Sequence, residues 1–230
     1  MLKGVIFDLD GVVVDSHPAH MRAWNRFLLS VGKSVTETEL DFVRDGRKKE
    51  EILRHFLGDL NCTEIQAHSH QKDLFFNEEA KDVKAVAGVG ELLKQLERTG
   101  LPTAVASSGS SKRVHYILDL VGLRPYFRIV VTGDDVARGK PDPAIFLKAA
   151  RKLHVEPTSS LAFEDSVSGV RAARAAGMKC LGIAAPHRAH SLAEAGAHGV
   201  LTDFVGASVS QIQELFSIVL SGNRTGVPLT

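Results

Sequence analysis

Gly4-Val5-Ile6-Phe7-Asp8-Leu9-Asp10-Gly11 is the stretch whose reading decides the fold. An unbroken apolar run stops on two carboxylates and a glycine. Continuous apolar character means a strand covered on both faces, as in a parallel sheet flanked by helices. Runs of the same kind recur along the chain. They are Pro102-Thr103-Ala104-Val105-Ala106 before Ser107, Arg128-Ile129-Val130-Val131 before Thr132, and Ser160-Leu161-Ala162-Phe163 before Glu164-Asp165. Met178-Lys179-Cys180-Leu181-Gly182-Ile183 is a fifth, and Gly199-Val200-Leu201 a short sixth.

Between these runs the apolar period changes to 3.6. Leu92, Leu93 and Leu96 form a stripe stopped by Gly100. Val114, Ile117, Leu118 and Val121 form one closed by Gly122. Ile145, Ala149 and Leu153 follow Asp142-Pro143, read as an N-cap with proline at the first helical position. Val170, Ala173 and Ala176 complete the set before Gly177. Alternating strands and helices predict an α/β protein with a doubly wound, Rossmann-like parallel sheet. Residues 16–85 interrupt the alternation. Met21, Trp24, Phe27, Leu28 and Val31 give one helical face, Ile52, Leu53 and Phe56 another, and residues 63–81 a polar helix. This predicts an inserted α-helical cap over residues 16–85, on a core of residues 1–15 and 86–220, with a frayed tail at 221–230. An insertion after a parallel strand emerges at its carboxyl end, where such sheets bind ligands.

Composition narrows the function. The 230 residues are 44% apolar and 24% charged with net charge +1, which gives no electrostatic basis for a nucleic-acid or membrane-surface partner. No apolar stretch approaches the roughly 18 residues of a spanning helix. Asp8 arrives too early for a signal-peptide core. Cys62 and Cys180 are the only cysteines, so no disulfide framework is expected, and a reducing cytoplasm is the default. They read as buried or half-buried thiols. Of the ten histidines, His68 and His70 face apart on a helix, and His187 and His190, near a loop, lack a clustered third ligand.

The chemistry-bearing residues lie at strand ends. Asp8 and Asp10, two apart in an extended chain, point the same way and repel unless a cation intervenes. Mg²⁺ suits an all-oxygen site. Alone, the motif is equally a solvated turn. Ser107, in Ser107-Ser108-Gly109-Ser110-Ser111, precedes a helix and reads either as an anion site or as an N-cap. Lys140 is stiffened by Pro141 and Pro143 and suits a fixed cation facing a phosphate. Glu164 and Asp165 read either as further metal-site carboxylates with Asp8 or as helix-capping acids.

Taken together, Asp8-Leu9-Asp10-Gly11, Ser107, Lys140 and Glu164-Asp165 resemble the four motifs of the haloacid dehalogenase superfamily, from about Lys3 to Phe216. The helical insert resembles the cap of the subfamily containing β-phosphoglucomutase and the sugar-phosphate phosphatases. The resemblance implies Asp8 as nucleophile through an aspartyl-phosphate, and Asp10 as general acid/base whose backbone carbonyl binds Mg²⁺. It implies Ser107 and Lys140 as phosphoryl holders, and Glu164 and Asp165 as completing the metal site with Asp8 and Asp10. An anionic nucleophile needs such neutralisation to approach phosphate. On the substrate side it implies Ser108 and Gly109 beside Ser107, and His20, Trp24, Gly46, Arg47, Lys49 and Lys72 in the cap. The mutase has Arg where this chain has Lys49, and a Lys-Asn pair where it has Ser110-Ser111. Lys lacks the bidentate fork of Arg. The expected activity is therefore hydrolysis of a small phosphorylated sugar or related metabolite, with β-phosphoglucomutase as runner-up and a silent binding module as a distant third. A cap and core of this kind work as a monomer.

Overall fold

The computed structural model describes residues 1–220; the tail expected to fray, 221–230, lies outside the described residues. Six parallel strands form one sheet: β1 (Gly4–Phe7), β2 (Thr103–Ala106), β3 (Ile129–Val131), β4 (Ser160–Glu164), β5 (Lys179–Ile183) and β6 (Val200–Leu201). Their spatial order is β3-β2-β1-β4-β5-β6, the α/β arrangement expected. Register pairs Phe7 with both Val105 and Phe163. The chain therefore leaves β1, β2 and β4 at one level, with Asp8, Ser107 and Asp165 close to one another in height.

Pleating sends alternate residues of β1 to opposite faces. Val5 and Phe7 enter a core formed with α5 (Val89–Arg98), α6 (Ser111–Leu120) and α10 (Val209–Leu220). Ile6 enters another formed with α7 (Ala144–Leu153), α8 (Val167–Ala175) and α9 (Pro186–Glu194). Both faces of the sheet are thus covered, which explains the unbroken apolar runs.

The segment between β1 and β2 is helical: α1 (His17–Ser30), α2 (Glu37–Leu40), α3 (Lys49–Leu57) and α4 (Cys62–Glu79), with a 3-10 turn at Asp41–Arg44. It has its own cluster of Trp24, Phe27, Leu28, Leu40, Ile52, Leu53 and Phe56. This helical layer stands over the carboxyl ends of the strands. Ser108 Oγ donates to Gly46 O at 2.6 Å, Lys48 Nζ to Val136 O at 3.0 Å, and Ser168 Oγ to Asp45 O.

Local expectations are corrected in four places. α7 begins at Ala144 with Pro143 as its cap residue, while Asp142 Oδ1 accepts from the Ala144 amide. The helix after Ser107 begins only at Ser111, so Ser107 is not its cap. His187 and His190 lie on α9 rather than near a loop. Cys62 is exposed, because it opens α4 on the surface, whereas Cys180 is buried.

Candidate active site

Gly11, at φ +78°, turns the chain sharply after β1, and its amide donates to Val14 O at 2.7 Å. A Cβ there would fall 2.3 Å from Asp165 Oδ2, so only glycine lets β1 and β4 bring their acids this close. Asp8 is buried at the end of β1, with Oδ1 accepting from Lys140 Nζ. The same ammonium donates to Glu164 Oε1 at 2.5 Å. Burial raises the Asp8 pKa well above the ordinary value. Lys140 opposes this, and Glu164, Asp10 and Asp165 add to it. Burial alone would lower the Lys140 pKa; Asp8 and Glu164 outweigh it and hold the ammonium charged.

Asp10 is held differently. Arg113, from the first turn of α6, donates Nη1 to Oδ1 at 2.9 Å and Nη2 to Oδ2 at 2.7 Å. Ser16 Oγ donates to Oδ1 at 2.6 Å. Burial alone would raise the Asp10 pKa, but Arg113 and then His20 drive it well below the ordinary value. Lys72 Nζ lies 3.0 Å from His20 Nδ1, and His20 Nε2 lies 3.2 Å from Asp10 Oδ1. Arg113 Nη1 also lies 3.2 Å from His20 Nε2. Burial, then Lys72, pushes the His20 pKa down to about 3, so the ring is neutral near pH 7. Lys72 is buried, and its pKa is lowered by burial and by Arg113 and Lys49.

Asp8, Asp10, His20, Trp24, Gly46, Arg47, Lys49, Lys72, Ser108, Gly109 and Asp165 all line one cleft of about 610 Å³, part of it open to solvent. Ser107 is buried beneath it, its Oγ accepting from the Gly109 amide at 3.2 Å. Lys140 lies behind Asp8. Glu164 does not reach the cleft. Its Oε1 is taken by Lys140, and its Oε2 accepts from the Asp165 amide, the Ser166 amide and Ser166 Oγ at 2.8–3.0 Å. It serves as a brace for Lys140 rather than as an open ligand.

Among the described residues no three His, Cys, Asp or Glu side chains are gathered as a metal cage. A hard cation needs less than that. Mg²⁺ keeps several waters and is commonly held by one or two carboxylates plus substrate phosphate. Asp8 and Asp165 offer those carboxylates to one cleft. The donor set fits Mg²⁺.

Five residues lining the cleft, His17, Val43, Arg44, Ile52 and Arg113, were not among the expected site residues. Arg113 carried a signal: a cation in a helix's first turn opposes the helix dipole and calls for a carboxylate partner. His17, with Nε2 2.5 Å from Asp165 Oδ2, carried none. Burial lowers its pKa, but Asp165 raises it further, for a net rise.

The model of the haloacid dehalogenase-like hydrolase family matches residues 5–183, and the chain belongs to that family. The chain is 33% identical over 201 residues to Validoxylamine A 7'-phosphate phosphatase of Streptomyces hygroscopicus subsp. limoneus, covering 85% of this chain and 92% of the relative. It is 34% identical over 184 residues to Hexitol phosphatase A of Escherichia coli (strain K12), covering 80% and 84%. It is 31% identical over 198 residues to beta-phosphoglucomutase of Bacillus subtilis (strain 168), covering 79% and 83%. The solved beta-phosphoglucomutase from Clostridium difficile has the same fold, with a TM-score of 0.86 at 22% identity over 96% of this chain and 100% of that one. The protein is an enzyme of the phosphatase or phosphotransferase type within this family. No described helix is long and apolar enough to cross a membrane.

Proposed function

We propose that the chain hydrolyses the phosphate monoester of a small sugar or polyol through an aspartyl-phosphate on Asp8. The observation that carries this is the pairing of two unlike carboxylates in one cleft, Asp8 braced by Lys140 and Asp10 held ionised by Arg113. Residues 16–85 act as a cap over a core of residues 1–15 and 86–220. Asp8 and Asp165, with the Asp10 carbonyl, would hold Mg²⁺, which supplies charge neutralisation on the phosphoryl oxygens.

An oxygen of Asp8 attacks phosphorus, the ester P–O bond breaks, and the leaving sugar oxygen takes a proton from Asp10. Lys140, Ser107 and the Gly109 amide meet the phosphoryl oxygens. Arg113 keeps Asp10 ionised at rest. A phosphate dianion entering beside Arg113 draws the guanidinium toward itself and lets Asp10 take up a proton from solvent, which it then donates. In the second half Asp10 removes a proton from water. The water oxygen bonds to phosphorus, and phosphate leaves Asp8 as free carboxylate.

Asp8→Asn, nearly isosteric, should lower p-nitrophenyl phosphate turnover by at least about a thousandfold without loss of the folded circular-dichroism spectrum. Residual activity within tenfold of wild type sinks the assignment. Excess chelator should abolish turnover and added Mg²⁺ restore it; undiminished turnover rules the cation out. The mutase reading is favoured by the Bacillus subtilis relative. A phosphorus NMR time course on β-glucose 1-phosphate, with a trace of the 1,6-bisphosphate, separates the two. Free phosphate should outrun glucose 6-phosphate, and the reverse order makes the enzyme a mutase.

A further inference from the structure

Most of the cations that line the cleft already face an acceptor. Arg113 is clamped on Asp10. Arg47 Nε donates to Asp45 Oδ2 at 2.8 Å, and its Nη1 lies 3.5 Å from Glu51 Oε2. Lys49 Nζ lies 2.5 Å from Asp73 Oδ2, and the buried Lys72 Nζ lies 3.0 Å from His20 Nδ1. Arg44 is different. It ends the 3-10 turn at Asp41–Arg44 and lines the same cleft. Its Nε is buried and has no hydrogen-bond partner. Among the described residues its one ion-pair contact is Nη1 to Asp41 Oδ1 at 3.8 Å, too long for a hydrogen bond, and the Asp41 side chain is 65% exposed. Asp45, next in the chain, is committed to Arg47 and to the Ser168 amide at 3.2 Å.

A guanidinium that has lost water at Nε without gaining an acceptor carries an uncompensated cost. Its charge is delocalised over three nitrogens, so an anion on the open part of the fork offsets that cost without reaching Nε itself. The side chain is 32% exposed, which leaves such a part open. The count of charges then selects the anion. A phosphate dianion brings two charges and three oxygens, more than one guanidinium meets while the neighbouring cations stay with their own acceptors. A carboxylate brings one charge and two coplanar oxygens, which a single arginine fork matches.

We propose that Arg44 is a specificity-determining residue that binds a carboxylate borne by the substrate, so that the preferred phosphate monoesters are those of sugar acids and hydroxy acids. The inference rests on the phosphomonoesterase reading above and narrows its substrate class.

The test measures competitive inhibition of p-nitrophenyl phosphate hydrolysis by matched pairs that differ only in a terminal carboxylate. These are gluconate 6-phosphate against glucitol 6-phosphate, and 3-phosphoglycerate against glycerol 1-phosphate, which offer two chain lengths to one contact. In the wild type the acid of at least one pair should bind at least about tenfold more tightly than its alcohol, as a charge-assisted hydrogen bond allows. Arg44→Met should bring that ratio to within about twofold of unity, and Arg44→Lys, a charge without the fork, should keep part of it. Arg47→Met removes a cation already paired and should leave most of the ratio in place. Glucitol 1,6-bisphosphate, with a phosphate where gluconate 6-phosphate has its carboxylate, should bind more weakly than the acid. Taking a ratio within each variant cancels any general loss of activity, and thermal melts identify a variant that fails to fold. In that event the wild-type ratios and Arg44→Lys still decide. Ratios near unity in both wild-type pairs, an equal fall in Arg47→Met, tighter binding of the bisphosphate, or no inhibition by any of the compounds overturns the proposal. An unchanged ratio in Arg44→Met with both members weakened alike overturns it too, and places Arg44 on the scissile phosphate instead. Absence of p-nitrophenyl phosphate turnover overturns the phosphatase reading itself, and the inference with it.

Discussion

Arg113 brings a cation into the first turn of α6, where the helix dipole is positive. Asp10 compensates for it, and the pair explains why an acid in a buried site stays ionised. The sign of the pH effect follows. Arg113 favours charged Asp10, so removing it raises the Asp10 pKa, and the acid limb set by the second half-reaction, in which Asp10 must be ionised to take a proton from water, should move to higher pH. Arg113→Met should show that shift together with a roughly 10- to 100-fold lower kcat, the range of one general acid–base group working out of position. Arg113→Lys should restore part of both. A lower rate with an unmoved limb would make Arg113 a packing residue only. The motif spacing made Asp8, Asp10 and Asp165 legible because they follow strand ends, and Lys140 because Pro141 and Pro143 stiffen the loop that carries it ahead of α7. Arg113 and His17 owe their places to contacts spanning 103 and 148 residues of chain, which local patterns do not encode.

At the scale of elements, two glycines set how closely the chain can pack around the charged groups, with opposite consequences. A Cβ on Gly169, in the first turn of α8, would fall 1.8 Å from Glu164 Oε1, inside a fully buried carboxylate with no room to retreat. Gly169→Ala should therefore break the hydrogen bonds of Glu164 and loosen Lys140, with a stability loss of about 2–4 kcal/mol. A Cβ on Gly109 would fall 1.9 Å from Arg113 Nη2, the far end of a long side chain that can swing away. Gly109→Ala should reproduce the pH shift of Arg113→Met. If Gly109→Ala melts early with an unshifted profile, the displacement of Arg113 is wrong. The strands were readable because burial on both faces leaves long apolar runs. The exact start of α7 and the length of the 107–110 loop were not, because prolines and serines serve equally as caps and as loop residues.

Across the whole molecule, hydrogen bonds that bridge distant parts of the chain join the helical layer to the sheet side, among them Gly46 to Ser108, Lys48 to Val136 and Asp45 to Ser168. If residues 16–85 close over substrate, weakening these clasps should favour the open form. Lys48→Ala and Ser168→Ala should each raise KM for a sugar phosphate by a few-fold to about tenfold, as the loss of one hydrogen bond allows. Acetyl phosphate, too small to span the cleft, should show a smaller change. Equal losses on both substrates would place these contacts in the service of stability alone. Periodicity revealed the helices of this layer; it could not reveal where they dock, since docking depends on single polar atoms meeting across the cleft.

The spatial order of the strands also bears on when the catalytic residues can meet during synthesis. β1 lies at the centre of the sheet, yet its neighbours β2 and β4 begin only at Thr103 and Ser160. A ribosome delivers residues in order, and domains assemble as their parts emerge. Asp8, the proposed nucleophile, is therefore among the first residues made, while its brace, Lys140, and Asp165 are among the later ones. For most of translation Asp8 belongs to a strand without edges to pair with, while the helices of residues 17–79 can already condense on one another. A nascent chain halted before Asp165 should carry a folded helical layer and no phosphatase activity.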